Sequence, residues 1–402
     1  MEQNAMTKPH LRSWWAHKQG LLEPLPDSTP AAELSRAGWA RSVGGVGPYL
    51  ALFARGGHSR ASVDAAVASC QILELPAARA CTYVLPASDY ALALTVAAAA
   101  DKNAEMKVAL KLGVTEKEVD ILSEAVLSAL KSGPADPDTI RDAVGGKARS
   151  LGPEGTKKGL SSTLPLALGR LQLTGDIRRI PTNGRLDQQR YRYTLWRPNP
   201  LQRCTWTPAE AHIALARLYF QWIGPASPAE FQWFSGLGVK AAKDALAPLG
   251  LVPVEDASER LIFPQDLDAL HAFRPPKTPV YRLTSGIDSL VLLRRDHRSL
   301  ADAADLDGLP PLTKDGSAGG ALADLPCHAI FDRGRLVGLW EYDQPSESIV
   351  WLSFIQRNGD LDNAVKITEG YIRSQLGDAR SFSLDSPKSR QPRIEVLRRA
   401  AG

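Results

Sequence analysis

Residues 115–196 constrain the fold more than any other stretch of this chain, because three helical patterns run directly into a hairpin pattern. Thr115 precedes Glu116 and Glu118, an N-cap with acids in the first turn. Val119, Leu122, Val126, Leu127 and Leu130 then recur at helical spacing, and Ser132-Gly133-Pro134 stops the helix. Asp136-Pro137 opens a second, short helix carrying Ile140 and Val144. The glycine- and lysine-rich stretch 145–159 reads as a loop. Ser161, Ser162 and Thr163 start a third helix with Leu164, Leu168 and Leu171 inside it. Two alternating stretches, 176–181 and 191–196, follow. The turn between them contains Asn183-Gly184, a pair that favours a tight hairpin. Three helices and a twisted hairpin make a winged helix, in which the third helix enters a DNA groove and the hairpin touches the backbone.

Charge agrees with that geometry. The chain as a whole carries a formal +4, which discriminates little. Between residues 170 and 203, however, eight arginines face only Asp176 and Asp187. A basic stripe of this kind meets phosphates. We therefore expect Ser162, Thr163, Arg170, Arg178, Arg179, Arg185, Gln188, Gln189, Arg190 and Arg192 to contact DNA. The competing reading is a solvated basic hairpin with no partner.

The helix–hairpin pattern recurs on both sides. Helical stretches near 10–20, 30–42 and 59–70 precede extended segments at 73–76 and 81–86. After Trp206, helices open at Thr207-Pro208 and Ser227-Pro228, a third covers 238–249, and 251–254 with 260–263 form a short wing. Beyond about 266 the character changes. Segments 280–293, 328–331, 336–342 and 348–354 read as strands of a small antiparallel barrel. The stretch 312–325 reads as a loop, 362–376 as a last helix, and 387–399 as a basic, mobile tail. The expected fold class is thus α+β: three tandem winged helices (8–100, 114–200 and 205–265) followed by a C-terminal antiparallel β-barrel with a terminal helix (266–402).

Several classes of function are excluded by what the sequence lacks. No apolar run reaches the length a membrane helix needs, and the polar N-terminus has no apolar core of a signal peptide, so we expect a cytoplasmic, nucleoid-associated protein with no membrane partner. Cys70, Cys81, Cys204 and Cys327 are scattered, with no CxxC pair, and the histidines form no HExxH. Neither a metal nor a disulfide frame is signalled, and no cofactor is expected. No extended heptad helix offers a dimer seam, so the chain reads as a monomer.

Four segments, in order, resemble the winged-helix DNA glycosylases of the AlkZ/YcaQ type. Arg79-Ala-Cys-Thr-Tyr-Val-Leu-Pro-Ala-Ser-Asp89 is similar to the family's R-G-T-L-H-L-V-P-A-x-D. Trp222-Ile-Gly-Pro-Ala-Ser-Pro-Ala-Glu-Phe-Gln-Trp-Phe-Ser-Gly-Leu237 is similar to G-P-A-T-x-x-D-F-x-x-W-S-G-L. Gly286-Ile-Asp-Ser-Leu-Val291, with Arg294-Arg-Asp-His-Arg298, resembles F-D-x-L-V followed by a basic pair, and Ile330-Phe-Asp-Arg-Gly-Arg-Leu-Val-Gly-Leu-Trp340 completes the set. The resemblance implies three winged helices plus a barrel, and removal of a modified, often alkylated, base from double-stranded DNA without metal or organic cofactor.

The same resemblance exposes a departure. Cleaving an N-glycosidic bond develops oxocarbenium-like charge on the sugar, which a positioned group stabilises or relieves by activating water. The family uses a Gln-x-Gln or Gln-x-Asp motif just before a segment like Pro48-Tyr-Leu-Ala-Leu-Phe-Ala-Arg55. Here the matching stretch is Arg41-Ser-Val-Gly-Gly-Val-Gly47, and no Asp, Glu, Asn or Gln lies between Glu33 and Asp64. The family's histidine in R-G-T-L-H is replaced by Tyr83. Three readings follow. Water is activated from elsewhere, with Ser42, Asp288 and Gln19 as candidates. Alternatively, glycine enlarges the pocket for a bulky, hypermodified base, with Trp39, Gly44, Gly45, Tyr49 and Tyr83 lining it. Or catalysis is lost and the chain only binds DNA, as a regulator or damage sensor.

Overall fold

The computed structural model describes residues 6–100, 104–256, 258–307 and 325–401. Most of the 312–325 stretch read as a loop therefore lies outside the described residues. Mixed helix and strand is the observed class. Three groups of helices each end in an antiparallel hairpin, and a four-stranded sheet follows.

In the first group, helices Lys8–Lys18, Pro30–Ala37, Gly47–Gly56 and Arg60–Ala68 precede strands β2 (Ile72–Pro76) and β3 (Thr82–Pro86). A two-residue strand β1 (Ala40–Arg41) joins the far edge of β3, giving the order β1-β3-β2. The Gly47–Gly56 helix lies outside the helical stretches expected from the sequence; its Pro48 supplies the ready-made φ of a first helical turn. Tyr90–Ala100, apolar on all sides, is a buried helix.

The second group contains helices Glu116–Ala129, Pro137–Val144 and Leu164–Leu173, then β4 (Ile177–Pro181) and β5 (Tyr191–Leu195). Thr115 and Asp136 cap as their side chains suggested, accepting from Glu118 N and from Asp138 N and Thr139 N. The stretch 145–159 is not all loop, because Gly152–Lys157 makes one further helical turn. The group has a core of its own, running from Met106 to Tyr193.

Helices Pro208–Ile223, Pro228–Ser235 and Val239–Leu246 form the third group, the first two opened by capping boxes at Thr207 and Ser227. Its hairpin is reduced to β6 (Val252–Pro253) and β7 (Leu261–Ile262). Its aromatic residues Tyr219, Phe220, Trp222, Phe231 and Phe234 merge with Trp14, Trp15, Trp39 and Tyr83 of the first group and Phe331 and Leu339 of the C-terminal sheet into one core.

Two expectations for the C-terminal region are corrected. β8 (Tyr281–Thr284), β9 (His328–Asp332), β10 (Arg335–Asp343) and β11 (Ser348–Ser353) pair in the order β11-β10-β9-β8, an open antiparallel sheet with β8 and β11 at its edges and no closed barrel among the described residues. The 280–293 segment is strand only at its start. Asp288 caps a turn of helix, accepting from Leu290 N, and so breaks the extended run. The 387–399 tail is also not a free extension. Pro387–Ala401 is a helix docked across β10 and β11, with Arg390, Ile394 and Leu397 buried.

One buried knot ties these parts together. Arg55 grips Asp288 through both guanidinium nitrogens, at 2.8 and 2.9 Å, with side-chain exposures of 2% and 0%. Its Nε donates to Gln19 O at 2.8 Å, and its Nη2 to Gln19 Oε1 at 3.2 Å. Gln19 Nε2 then donates to Trp222 O at 2.9 Å. The first helix, the Gly47–Gly56 helix, the third group and the C-terminal region therefore meet at one guanidinium. Removing one member of a buried pair leaves the other charged and unsolvated, a loss of about 3–5 kcal/mol. We expect Arg55→Ala to lower the unfolding free energy in urea by that order, and Asp288→Asn to act in the same direction. Melts unchanged in either variant would show that the knot does not hold the parts together.

Candidate active site

The loop that should carry the missing motif forms one wall of an open cavity of about 570 Å³. Arg41, Ser42 and Val43 line it together with Thr82 of β3, Gln189 from the tip of the second hairpin, and Phe382, Leu384, Asp385 and Arg393 from the C-terminal segment. The loop is pinned by backbone bonds on two sides. Ser42 N donates to Thr82 O at 3.1 Å, Val46 N to Arg380 O at 2.9 Å, and Ser383 N to Val43 O at 3.0 Å. Arg41 lies over the Tyr83 ring and donates to Thr82 O at 2.6 Å.

The glycines of this loop do not open a larger pocket. A Cβ on Gly45 would fall 2.2 Å from the carbonyl oxygen of Ser381, and one on Gly44, which sits at φ +74°, would meet the Gln189 side chain at 2.5 Å. The space a side chain would occupy is taken by the protein's own C-terminal backbone and hairpin tip. Glycine is required here for close approach.

Beneath the loop lies a group that sequence reasoning missed. Ser42 Oγ donates to Glu74 Oε1 at 2.6 Å. Glu74 sits mid-strand in β2 and is 8% exposed, and its Oε2 is buried with no hydrogen-bond partner. Its charge, after burial, pushes the Tyr191 phenol upward. The available signal was a single acid between Leu73 and Leu75 in an otherwise apolar strand, where an acid is rare.

The other candidates are placed differently. Gln19 and Asp288 are held by Arg55 in the buried knot, so neither is presented to the cavity. Trp39, Tyr49 and Tyr83, expected to line a base pocket, are at most 3% exposed. Trp39 packs on Tyr83 and Trp222 and donates to Asp89 at 2.8 Å. Tyr49 bonds Asp64 and accepts from Leu186 N. Stacking on a base would require this core to open.

The second hairpin also departs from the simple picture of a free basic wing. Its tip folds back onto the first group: Leu186 is fully buried beside Tyr49, Arg185 pairs with Asp187 and reaches Leu376 O at 2.9 Å, and Arg380 donates to Asp187 O. Arg170 is paired with Glu116 and Asp120 across the helices, and Thr163 is buried, accepting from Arg149 N. Arg178, Arg179 and Ser162 are half-buried, with Arg179 5.0 Å above the Tyr191 ring. Gln188, Gln189, Arg190 and Arg192 remain exposed. Of the ten residues expected to touch DNA, these four are the most open to a ligand, and Gln189 is the one that reaches the cavity.

Behind the cavity stands a second carboxyl cluster. Arg393 donates to Glu341 at 3.0 Å and to Asp385 at 3.3 Å. Burial raises the Glu341 carboxyl to about 7, against the opposing pull of Arg393 and Arg390, and pushes the neighbouring Cys327 thiol well up. His328, fully buried, is lowered to about 4 by desolvation. A carboxyl raised in the folded state binds a proton the unfolded chain has already lost. It therefore costs no stability below the ordinary carboxyl range, an increasing amount as pH rises to about 7, and a constant amount above. We expect the melting temperature of Glu341→Gln, measured against wild type, to move in the variant's favour across pH 4.5–7; a pH-independent difference would contradict the buried, proton-binding carboxyl.

Comparison with known proteins gives this geometry its context. A search of curated protein sequences finds no match. Among solved structures, the Streptomyces sahachiroi DNA glycosylase AlkZ superposes with a TM-score of 0.66 at 18% identity, over 90% of this chain and 96% of that one, a likeness of fold. The family model for DNA glycosylase AlkZ-like proteins matches residues 46–350. The match leaves the Arg41–Val43 and Phe382–Arg393 walls of the cavity outside its bounds and takes in Thr82 and Gln189. With well over half of its residues matched, this chain belongs to the AlkZ-like DNA glycosylase family.

Proposed function

We propose that this chain hydrolyses the N-glycosidic bond of a modified base, alkylated or bulkier, in double-stranded DNA. Three tandem winged-helix units present the duplex, and the extruded nucleotide enters the cavity at the Ser42 loop. The observation that carries the reading is the cavity itself: within a DNA glycosylase family, a solvent-open recess lined by the Arg41–Val43 loop sits over a buried carboxyl. Its lining is rich in hydroxyl, amide and guanidinium groups, suited to the polar edges of a base and to a nearby phosphate. At its rim, Phe382 and Leu384 are 47% and 90% exposed, apolar groups placed to fill the gap an extruded base leaves in the stack. No metal or cofactor enters the reading, and the chain acts as a monomer in the nucleoid.

A second reading, a DNA-binding relative without catalysis, draws on the loop's lack of any amide or carboxylate side chain. Incubating the protein with plasmid, methylated DNA and phage DNA carrying glucosylated cytosine, then scoring alkali-labile abasic sites, separates the two. Abasic sites in a modified DNA, absent from plain plasmid, are expected; tight binding without them in every substrate would favour the silent relative. In the same system, Arg190→Ala and Arg192→Ala should weaken binding to all sequences alike, each flattening the slope of log affinity against log salt by about one unit. An unchanged slope would move the DNA away from the exposed side of the second hairpin.

A further inference from the structure

We propose that Ser42 and Glu74 act as one proton-accepting pair that replaces the missing amide motif, an inference that rests on the glycosylase reading above. A carboxyl group in the middle of an apolar strand is costly. Glu74 is more than nine-tenths buried, pairs with no Lys, Arg or His among the described residues, and leaves Oε2 without a partner. A buried charge without a cation, or a buried oxygen without a donor, lowers stability, and such a group is a candidate for function when it sits at a cleft. Glu74 sits at one: Ser42 Oγ donates to its Oε1 at 2.6 Å, the Tyr191 phenol lies against the same carboxyl, and Ser42 lines the cavity.

The chemistry follows from the direction of that bond. Ser42 is itself 2% exposed and its hydroxyl donates inward to Glu74, so in this proposal its lone pairs accept from a single water admitted at the cavity floor. As the C1′–N bond breaks, its electron pair stays on the base nitrogen, which is protonated from solvent, and charge develops at C1′. The water oxygen bonds C1′ and gives a proton to Ser42 Oγ, whose own proton passes to Glu74 Oε1. Glu74 later returns that proton to solvent, so one water is consumed and the base and an abasic sugar are formed. Glu74 never touches the sugar. It works through Ser42, while its charge offsets the positive charge at C1′. Backbone bonds to Thr82 O and Arg380 O and from Ser383 N hold the main chain of the Ser42 loop in place.

The test uses the full chain and the modified DNA from which wild type releases base. Single-turnover excision, DNA affinity and melting temperature are measured for Glu74→Gln, Ser42→Ala, Ser42→Thr and the double variant Ser42→Ala/Glu74→Gln. We expect Glu74→Gln and Ser42→Ala each to slow excision ~10²–10⁴-fold, with DNA affinity unchanged and melting temperature equal to or above wild type. Ser42→Thr, which keeps the hydroxyl, should retain most of the rate. The double variant should be no slower than the slower single, as for groups acting as a unit. If wild type is active and the variants keep its rate, or lose rate only together with melting temperature, the pair is structural and the proposal fails. If wild type releases no base from any substrate, the glycosylase reading fails first and this inference goes with it.

Discussion

One buried guanidinium, that of Arg55, ties the helix behind the Ser42 loop to the first helix and the C-terminal region. Its guanidinium closes onto Asp288 and Gln19 inside the protein, and through Gln19 onto the Trp222 backbone. Arginine suits this post because its planar fork satisfies a carboxylate with two parallel bonds while its remaining donors reach backbone oxygens. The helix that carries Arg55 begins at Gly47, immediately after the Ser42 loop. Anchoring the far end of that helix to the third group and the C-terminal region therefore sets where the loop lies. Of the three polar candidates for activating water, Asp288 and Gln19 are held in this knot, whereas Ser42 is not.

That misreading has a physical cause. Sequence patterns report local periodicity well, and the second helix group, its caps and its Asn-Gly hairpin were legible because each rests on neighbours in the chain. The Gly47–Gly56 helix was not, since a glycine–proline start looks like a turn until the following apolar face finds a core. The expected barrel depended on strand closure between distant segments, and the cap at Asp288 cut its first strand short. Asp288, Gln19, Tyr49 and Tyr83 were sound candidates by residue type. Only the tertiary structure reveals that partners more than a hundred residues away already satisfy or bury three of them.

Glu74 is the opposite case. It was visible as an acid in an apolar strand, yet strand patterns alone cannot say which loop a side chain will meet. Its meaning comes from β1, a strand of two residues that pairs with β3 and sets the next residue, Ser42, where its hydroxyl reaches across β3 to Glu74. Likewise the glycines at 44 and 45 suggested room for a large ligand, whereas the chain fills that room with its own backbone. An empty side chain in a sequence says only that something comes close. The something here is Arg380–Ser381 and Gln189.

The docking of Pro387–Ala401 across β10 and β11 bears on how the protein is made. Helix and segment together carry Phe382, Asp385 and Arg393 to the cavity, opposite a wall contributed by the first group. Chains leave the ribosome N-terminus first, and their domains tend to fold in that order. The Ser42 loop is thus synthesised long before the surface that faces it, and the recess is completed only when the last helix has emerged and settled. A growing chain can acquire its helix–hairpin groups, and with them an affinity for nucleic acid, at a stage when its pocket still lacks a side.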